Sequence, residues 1–310
     1  VMKYLFGPVN SRRLGLSLGV DLVPYKTCPL NCVYCECGET TTPTAAITEY
    51  VPTTEVIAEL DTYLSGSPRI DVITFSGSGE PTLHSGIGKV IGHCKDKYPQ
   101  YKIAVLTNGV LLWNPVVRQS LARADIVIPS LDAVSPEVFS RIARPARDIT
   151  PDRVVEGLVE FRKGFPGKIY LEVFIVPGLN DTESELAKLQ EAFGRIKPDR
   201  LQINTLDRPG AEDWVQPADR ERLLRIREFF ALFGAEIIGK PERERSADRH
   251  VGGLEKAIIQ VLRRRPSTLE DLCGSLGADR GAVEEILASM SEAGIITAER
   301  LARGLFYRMV

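Results

Sequence analysis

Two rhythms of apolar residues alternate along this chain. Short runs that are almost wholly apolar, such as 72–75 and 126–128, read as strands covered on both faces. Between them lie segments whose apolar residues fall three and four apart, such as Val56, Ile57 and Leu60, and these read as helices with one buried stripe. Strands are expected at 16–24, 71–75, 102–107, 125–129, 168–176, 200–205 and 235–238. Helices are expected at 53–64, capped by Thr53-Thr54-Glu55, and at 84–97, 115–122, 136–142, 151–163, 181–195 and 217–233. Residues 1–15 read as irregular. Strands alternating with helices predict an α/β fold with a parallel sheet and helices outside. About six such units fall two short of an eightfold barrel, so a partial, open (β/α)6 barrel is expected.

The rhythm changes after residue 239. Residues 240–252 are charged and poor in apolar residues, and read as a linker between a first domain at 1–239 and a second at 253–310. In the second, helices at 254–262, 268–276 and 279–293 precede a hairpin of 295–297 with 305–308, the pattern of a winged helix-turn-helix. Its third helix carries Asp279, Glu284, Glu285 and Glu292 against a single Arg280. Phosphate repulsion along that helix argues against DNA docking. Arg263-Arg264-Arg265 forms a basic spot in the turn after the first helix. The module is read as a protein-contact or barrel-covering unit.

Polar and glycine-bearing stretches fall at the C-terminal ends of the strands, where parallel α/β enzymes place their chemistry. Ser76-Gly-Ser-Gly-Glu-Pro81, Asn108-Gly109 and Ser130-Leu131-Asp132 are three of them. The densest chemistry follows the first strand, in Cys28-Pro-Leu-Asn-Cys32-Val-Tyr-Cys35. Three thiols this close suit one inorganic centre better than a disulfide, which needs a particular Cβ separation. Zinc would require a fourth ligand from elsewhere. Iron–sulfur cubanes also normally take four cysteines, so three thiols leave one iron open to another ligand. Cys37, Cys94 and Cys273 offer no suitable fourth position, and the scattered His84, His93 and His250 read as structural.

Composition narrows the picture only a little. The chain has 310 residues, a net charge of −2, and no apolar run approaching the ~20 residues of a membrane span. Near-neutral charge does not favour a chain that coats nucleic acid or a membrane surface. Val1-Met2-Lys3-Tyr4 lacks the apolar core of a signal peptide, and six cysteines are too sparse for a disulfide scaffold. A reducing cytoplasm is expected.

Cys28, Cys32 and Cys35, with Tyr34 before the last, resemble the signature of the radical S-adenosylmethionine (radical SAM) superfamily. The surrounding text, Ser11-Arg-Arg-Leu-Gly, Val20-Asp-Leu-Val-Pro and Cys35-Glu-Cys-Gly, is similar to a subgroup related to wyosine-tRNA synthase and the molybdenum-cofactor cyclase. The resemblance covers roughly the first 240 residues. It implies a 4Fe-4S cluster on the three cysteines and S-adenosylmethionine on the open iron. It also implies reductive cleavage to a 5′-deoxyadenosyl radical that takes hydrogen from a substrate, and a low-potential donor of ferredoxin or flavodoxin type. Gly79-Glu80 match the family's Gly-Gly-Glu element, with Ser78 in place of the preceding glycine. The resemblance makes Asn108 and Ser130 ribose or carboxylate contacts and brings Tyr34 to the adenine. Polar residues on or after strands, Asp132, Glu172, Asn204 and Arg144, are expected to face substrate inside the barrel. Arg12 and Arg13 suit a phosphate or carboxylate. The substrate class stays open among small molecule, peptide and modified RNA. The other reading is a redox-sensing regulator with a four-liganded metal that binds DNA or a protein through the winged helix.

Overall fold

The computed structural model describes residues 2–146, 148–239, 253–301 and 303–310. The chain opens with a hairpin, β1 (Leu5–Ser11) against β2 (Gly15–Val20), antiparallel and irregular between Phe6 and Val9. The expectation that residues 1–15 are irregular is therefore corrected. Gly7 and Pro8 mask a strand, because proline is tolerated at a sheet edge where no partner needs its N–H. Arg12 and Arg13 occupy the hairpin turn.

After β2 come two short bridging strands, β3 (Thr27–Cys28) and β4 (Thr42–Pro43), paired with each other. Then α1 (Thr53–Leu64), β5 (Val72–Phe75), α2 (Ile87–Lys97), β6 (Lys102–Thr107), α3 (Pro115–Ser120), β7 (Ile126–Pro129), α4 (Pro136–Ala143) and α5 (Pro151–Gly164) follow. The unit closes with β8 (Lys168–Phe174), α6 (Glu183–Ile196), β9 (Arg200–Asn204), α7 (Arg220–Phe229) and β10 (Glu236–Ile237). The sheet runs β1-β2-β5-β6-β7-β8-β9-β10, and every pair from β2 onwards is parallel. All four residues of β5 and of β7 are buried, as their apolar runs require. One hydrophobic cluster fills the space between this sheet and its helices. The expected cap of α1 differs. Pro52 is the N-cap residue and makes no side-chain cap bond, while Glu49 accepts from the N–H and hydroxyl of Thr53.

The expected linker, with His250, lies outside the described residues. Beyond it, α8 (Leu254–Leu262), β11 (Ser267–Thr268), α9 (Leu269–Leu276), α10 (Arg280–Glu292), β12 (Ile296–Leu301) and β13 (Gly304–Met309) surround a second hydrophobic cluster. Strand β11 adds to the expected hairpin, giving an antiparallel sheet in the order β11-β13-β12. Thr268 and Asp271 form a reciprocal capping box at the start of α9. No helix among the described residues is long and apolar enough to cross a membrane.

Candidate active site

The cysteine loop is pinned on both flanks by backbone bonds. Thr44 N–H donates to Cys28 O, Val33 N–H to Ile142 O, Asn31 N–H to Ala143 O, and Ala146 N–H to Pro29 O. Cys35 N–H turns back to Cys32 O at 3.1 Å, which sets the second interval of the motif. All six cysteines are free thiols. Side-chain N–H donors from outside the loop reach its sulfurs. Lys26 Nζ lies 3.1 Å from Cys35 Sγ, and Asn108 Nδ2 lies 3.5 Å from Cys28 Sγ.

These contacts separate the three thiols electrostatically. A hydrogen bond from the Cys37 thiol, reinforced by the Lys26 ammonium, lowers the Cys35 pKa. Burial and the Glu80 carboxyl push Cys28 up to about 12, and burial raises Cys32 as well. Burial works against the Lys26 charge, but Cys35, Cys37 and Cys28 outweigh it and hold the ammonium on. Lys26 escaped the sequence reading because its place beside Cys35 depends on a left-handed backbone at φ 55°.

The donor set fits an iron–sulfur cluster. Thiolate-held clusters carry negative charge, and Lys26 and Asn108 supply N–H groups of the kind that balance it. Among the described residues, no three His, Cys, Asp or Glu side chains converge on a point that would hold a single ion. A cubane differs from a zinc ion in this respect, since each thiolate binds a separate corner.

The loop after β5 packs directly on the cysteine loop. Gly79 allows this contact, because a Cβ there would sit 2.3 Å from Thr27 O and 2.6 Å from Val23. Gly77 takes φ +129° and lies against the Asp21 carboxylate. Ser78 donates its N–H and hydroxyl to Asp21 Oδ2, both at 3.2 Å, and its carbonyl accepts from Lys26 N–H. Glu80 is buried and accepts four bonds. Thr82 N–H, Thr82 hydroxyl and Thr107 hydroxyl reach Oε1 at 2.9, 2.5 and 2.7 Å, and Asn108 N–H reaches Oε2 at 2.8 Å. Burial still raises its pKa against these donors. Glu80 therefore ties the loop after β5 to the end of β6, and so positions the Asn108 side chain beside Cys28.

Tyr34, Asn108, Ser130 and Asp132 meet around a small cavity of about 20 Å³ beside the cysteine loop. The Tyr34 ring stacks on Phe174, with centroids 3.8 Å apart and planes 8° apart. Its hydroxyl donates to Asp132 Oδ2, while Asp132 Oδ1 accepts from Phe174 N–H at 2.8 Å. Asp132 was expected to face substrate. In the structure it lines the small cavity, and its two carboxylate oxygens also accept the bonds that hold Tyr34 and β8 in place.

Burial raises Asp132 to about 7, with Tyr34 and Phe174 opposing and Glu172 adding to the shift. The unfolded value is ~3.9, so the folded chain holds this proton over a wider pH range. Stability should therefore fall as pH rises from about 4 to about 7, by up to ~1.4 kcal/mol per unit. Asp132→Asn keeps an acceptor for Phe174 N–H and has no proton to lose. The difference in urea midpoint between wild type and this variant should shift in the variant's favour from about pH 5 to about pH 8. A difference that stays constant across that range would show that Asp132 is not protonated in the fold.

The remaining candidates divide. Arg13 pairs with Glu172 on β8, Asn204 Nδ2 donates to the same Glu172 oxygen at 3.2 Å, and Gln202 lies 3.4 Å from Arg13. These residues form one polar group that joins the hairpin turn to β8 and β9. Arg12 lies 3.8 Å from Asp207. Arg144 does not join them, which corrects its assignment to the barrel interior. It caps the C-terminus of α4 at φ 43° and pairs with Glu212 at the surface. The sequence reading missed Asp21, Arg208 and Arg303, whose partners are remote in sequence. Arg208 Nη1 donates to Pro266 O at 2.8 Å and to Asp271 at 2.7 Å, joining the strand ends to the C-terminal module.

A family model described as the radical SAM superfamily matches residues 22–190, more than half of the chain, and the chain belongs to that superfamily of enzymes. More particularly, it is 33% identical over 241 residues to a UPF0026 protein of Methanocaldococcus jannaschii, covering 77% of this chain and 73% of that one. It is 36% identical over 298 residues to a protein named GTPase Obg from Brachyspira hyodysenteriae. That match covers 96% of this chain but only 44% of the longer relative. Among solved structures, a radical SAM methyltransferase from Sphaerobacter thermophilus aligns with a TM-score of 0.55 at 16% identity, over 71% of this chain and 65% of that one. This last likeness concerns the fold. Membership in the superfamily implies S-adenosylmethionine and an iron–sulfur cluster.

Proposed function

We propose that Cys28, Cys32 and Cys35 hold a 4Fe-4S cluster whose fourth iron takes S-adenosylmethionine. The observation that carries this reading is the thiol loop itself, pinned beside the C-terminal ends of the parallel strands with Lys26 and Asn108 on its sulfurs. The chemistry supplied when both are bound is reductive cleavage of the C5′–S bond and removal of hydrogen from a substrate by the 5′-deoxyadenosyl group. The chain's own share is to place these groups and exclude water. Asn108 and Ser130 line the small cavity next to Tyr34, which suits them to the polar groups of the cosubstrate. Ser78 and Gly79 bring backbone to the cysteine loop, and Glu80 holds that backbone in place. Arg13 of the hairpin turn, Glu172 of β8 and Asn204 of β9 form the polar group that would meet substrate.

Residues 1–239 form the catalytic barrel and 253–310 a winged-helix domain. Two separate hydrophobic clusters support the division, and the helix–strand–helix–helix–strand–strand order supports the type. The winged helix acts as a cover for the barrel, since Arg208 and Arg303 bind it to the strand ends. The enzyme works in the cytoplasm with a ferredoxin- or flavodoxin-type donor. The regulatory reading calls for a four-liganded ion, and the convergence of side chains it needs is missing among the described residues.

The test is anaerobic reconstitution with iron and sulfide, followed by dithionite and S-adenosylmethionine. About four irons per chain and steady release of 5′-deoxyadenosine are expected. A chain that carries the cluster but releases none would refute the reading.

A further inference from the structure

We propose that the cavity between the hairpin turn, the strand ends and the C-terminal module binds a small polyanionic substrate through its phosphate or carboxylate groups. The proposal rests on the radical SAM reading, because it names what that chemistry would act upon. The cavity holds about 510 Å³ and reaches from Ser17 and Thr74 in the sheet to Glu36 and Cys37 beside the cysteine loop. Cavities of a few hundred Å³ accept small molecules. A folded RNA would need an open groove.

Six arginines line it: Arg12, Arg13, Arg208, Arg264, Arg265 and Arg303. Their carboxylate partners are shared and already occupied. Asp271 serves both Arg208 and Arg303, Asp207 serves both Arg12 and Arg303, Glu36 lies 3.5 Å from Arg208, and Glu172 takes Arg13. Glu270, also on the wall, pairs with Arg280 on the outside. Guanidinium donors therefore outnumber the acceptors offered to them. Arg264 Nε and Arg303 Nε are buried without a hydrogen-bond partner. Asp21 Oδ1 is the orphaned acceptor among the described residues and stands near Arg264, so a small movement satisfies that pair. No such acceptor answers Arg303 Nε. The Arg265 side chain has no hydrogen bond or ion pair among the described residues, and burial together with the neighbouring Arg208 charge lowers its pKa to about 10. Buried donors left unmade are costly, and a fork of guanidinium N–H groups matches phosphate and carboxylate oxygens in pairs. A polyanion would relieve the crowding of positive charge and fill the open donors together. The C-terminal module would then supply part of the substrate site through Arg264, Arg265 and Arg303.

The experiment is calorimetric titration of the full chain, without cluster, by inorganic tripolyphosphate and separately by citrate. Wild type, Arg265→Gln and Arg123→Gln are compared. Arg123 pairs with Asp96 on the exposed far side of the barrel and serves as the charge control. Saturable binding is expected, weakened about tenfold to a hundredfold by Arg265→Gln and unaltered by Arg123→Gln. Preference for tripolyphosphate assigns the anion as phosphate, and preference for citrate assigns it as carboxylate. Absence of saturable binding for both anions, or equal weakening in the two variants, overturns the proposal. This readout needs neither cluster nor S-adenosylmethionine, so it fails or succeeds separately from 5′-deoxyadenosine release.

Discussion

Cys32→Ala should abolish release of 5′-deoxyadenosine, by at least about a thousandfold, because a catalyst that cannot hold its reactive group loses most of an enhancement of order a millionfold or more. The same is expected of Cys28→Ala and Cys35→Ala. Folding should survive each change. Among the described residues none hydrogen-bonds the Cys32 sulfur, and the loop is held by backbone bonds at Asn31, Val33 and Cys35 that the substitution leaves in place. Iron content after anaerobic reconstitution is the direct measurement, with the urea midpoint of the cluster-free protein as its companion. Cys94→Ala and Cys273→Ala provide controls, since one thiol is buried in α2 and the other sits in α9. Loss of iron and activity only in the first three variants would single out the loop. A Cys32→Ala chain that keeps its iron and still cleaves S-adenosylmethionine would remove the basis of the proposed function.

What the sequence revealed and concealed follows from the range of each interaction. Strands such as β5 and β7 are legible because burial on both faces leaves a continuous apolar run. The cysteine loop is legible because all three thiols lie within eight consecutive residues. β1 was hidden because Phe6-Gly7-Pro8-Val9 imitates a turn while lying at the edge of the sheet. Asp132 and Arg144 show a second limit. Both follow elements that point towards the site, yet one side chain turns under Tyr34 and the other out to Glu212. Position along a strand does not fix that choice; the neighbouring side chains do. Glu172 shows where reasoning from cost succeeds. A carboxylate in an apolar strand demands a partner, and the structure provides Arg13, 159 residues away in the chain. The demand can be read from sequence, but the partner's identity needs the fold.

Glu80 carries the same logic to a measurable consequence for the site. In Glu80→Gln one acceptor becomes an NH2 group, and either placement of it is unfavourable. Turned towards Asn108, it meets a backbone N–H that now donates to Oε2; turned the other way, it meets Thr82 N–H. The threonine hydroxyls can rotate to accept, but a backbone N–H cannot. One buried donor is left unmade, at a cost of about 1–3 kcal/mol. Glu80→Ala strands both N–H groups and opens a void, so its cost should exceed ~4 kcal/mol. The effect should not stop at stability. Asn108 keeps its side chain 3.5 Å from Cys28 Sγ through the bond its own N–H makes to Glu80. Loosening that bond should free the loop as well as the strand end. Urea unfolding should therefore show the order wild type, Gln, Ala. Iron retention on dilution should follow the same order, even in buffer where Glu80→Gln remains fully folded. Equal unfolding midpoints for wild type and Glu80→Ala would mean that the carboxylate does not hold β5 and β6 together.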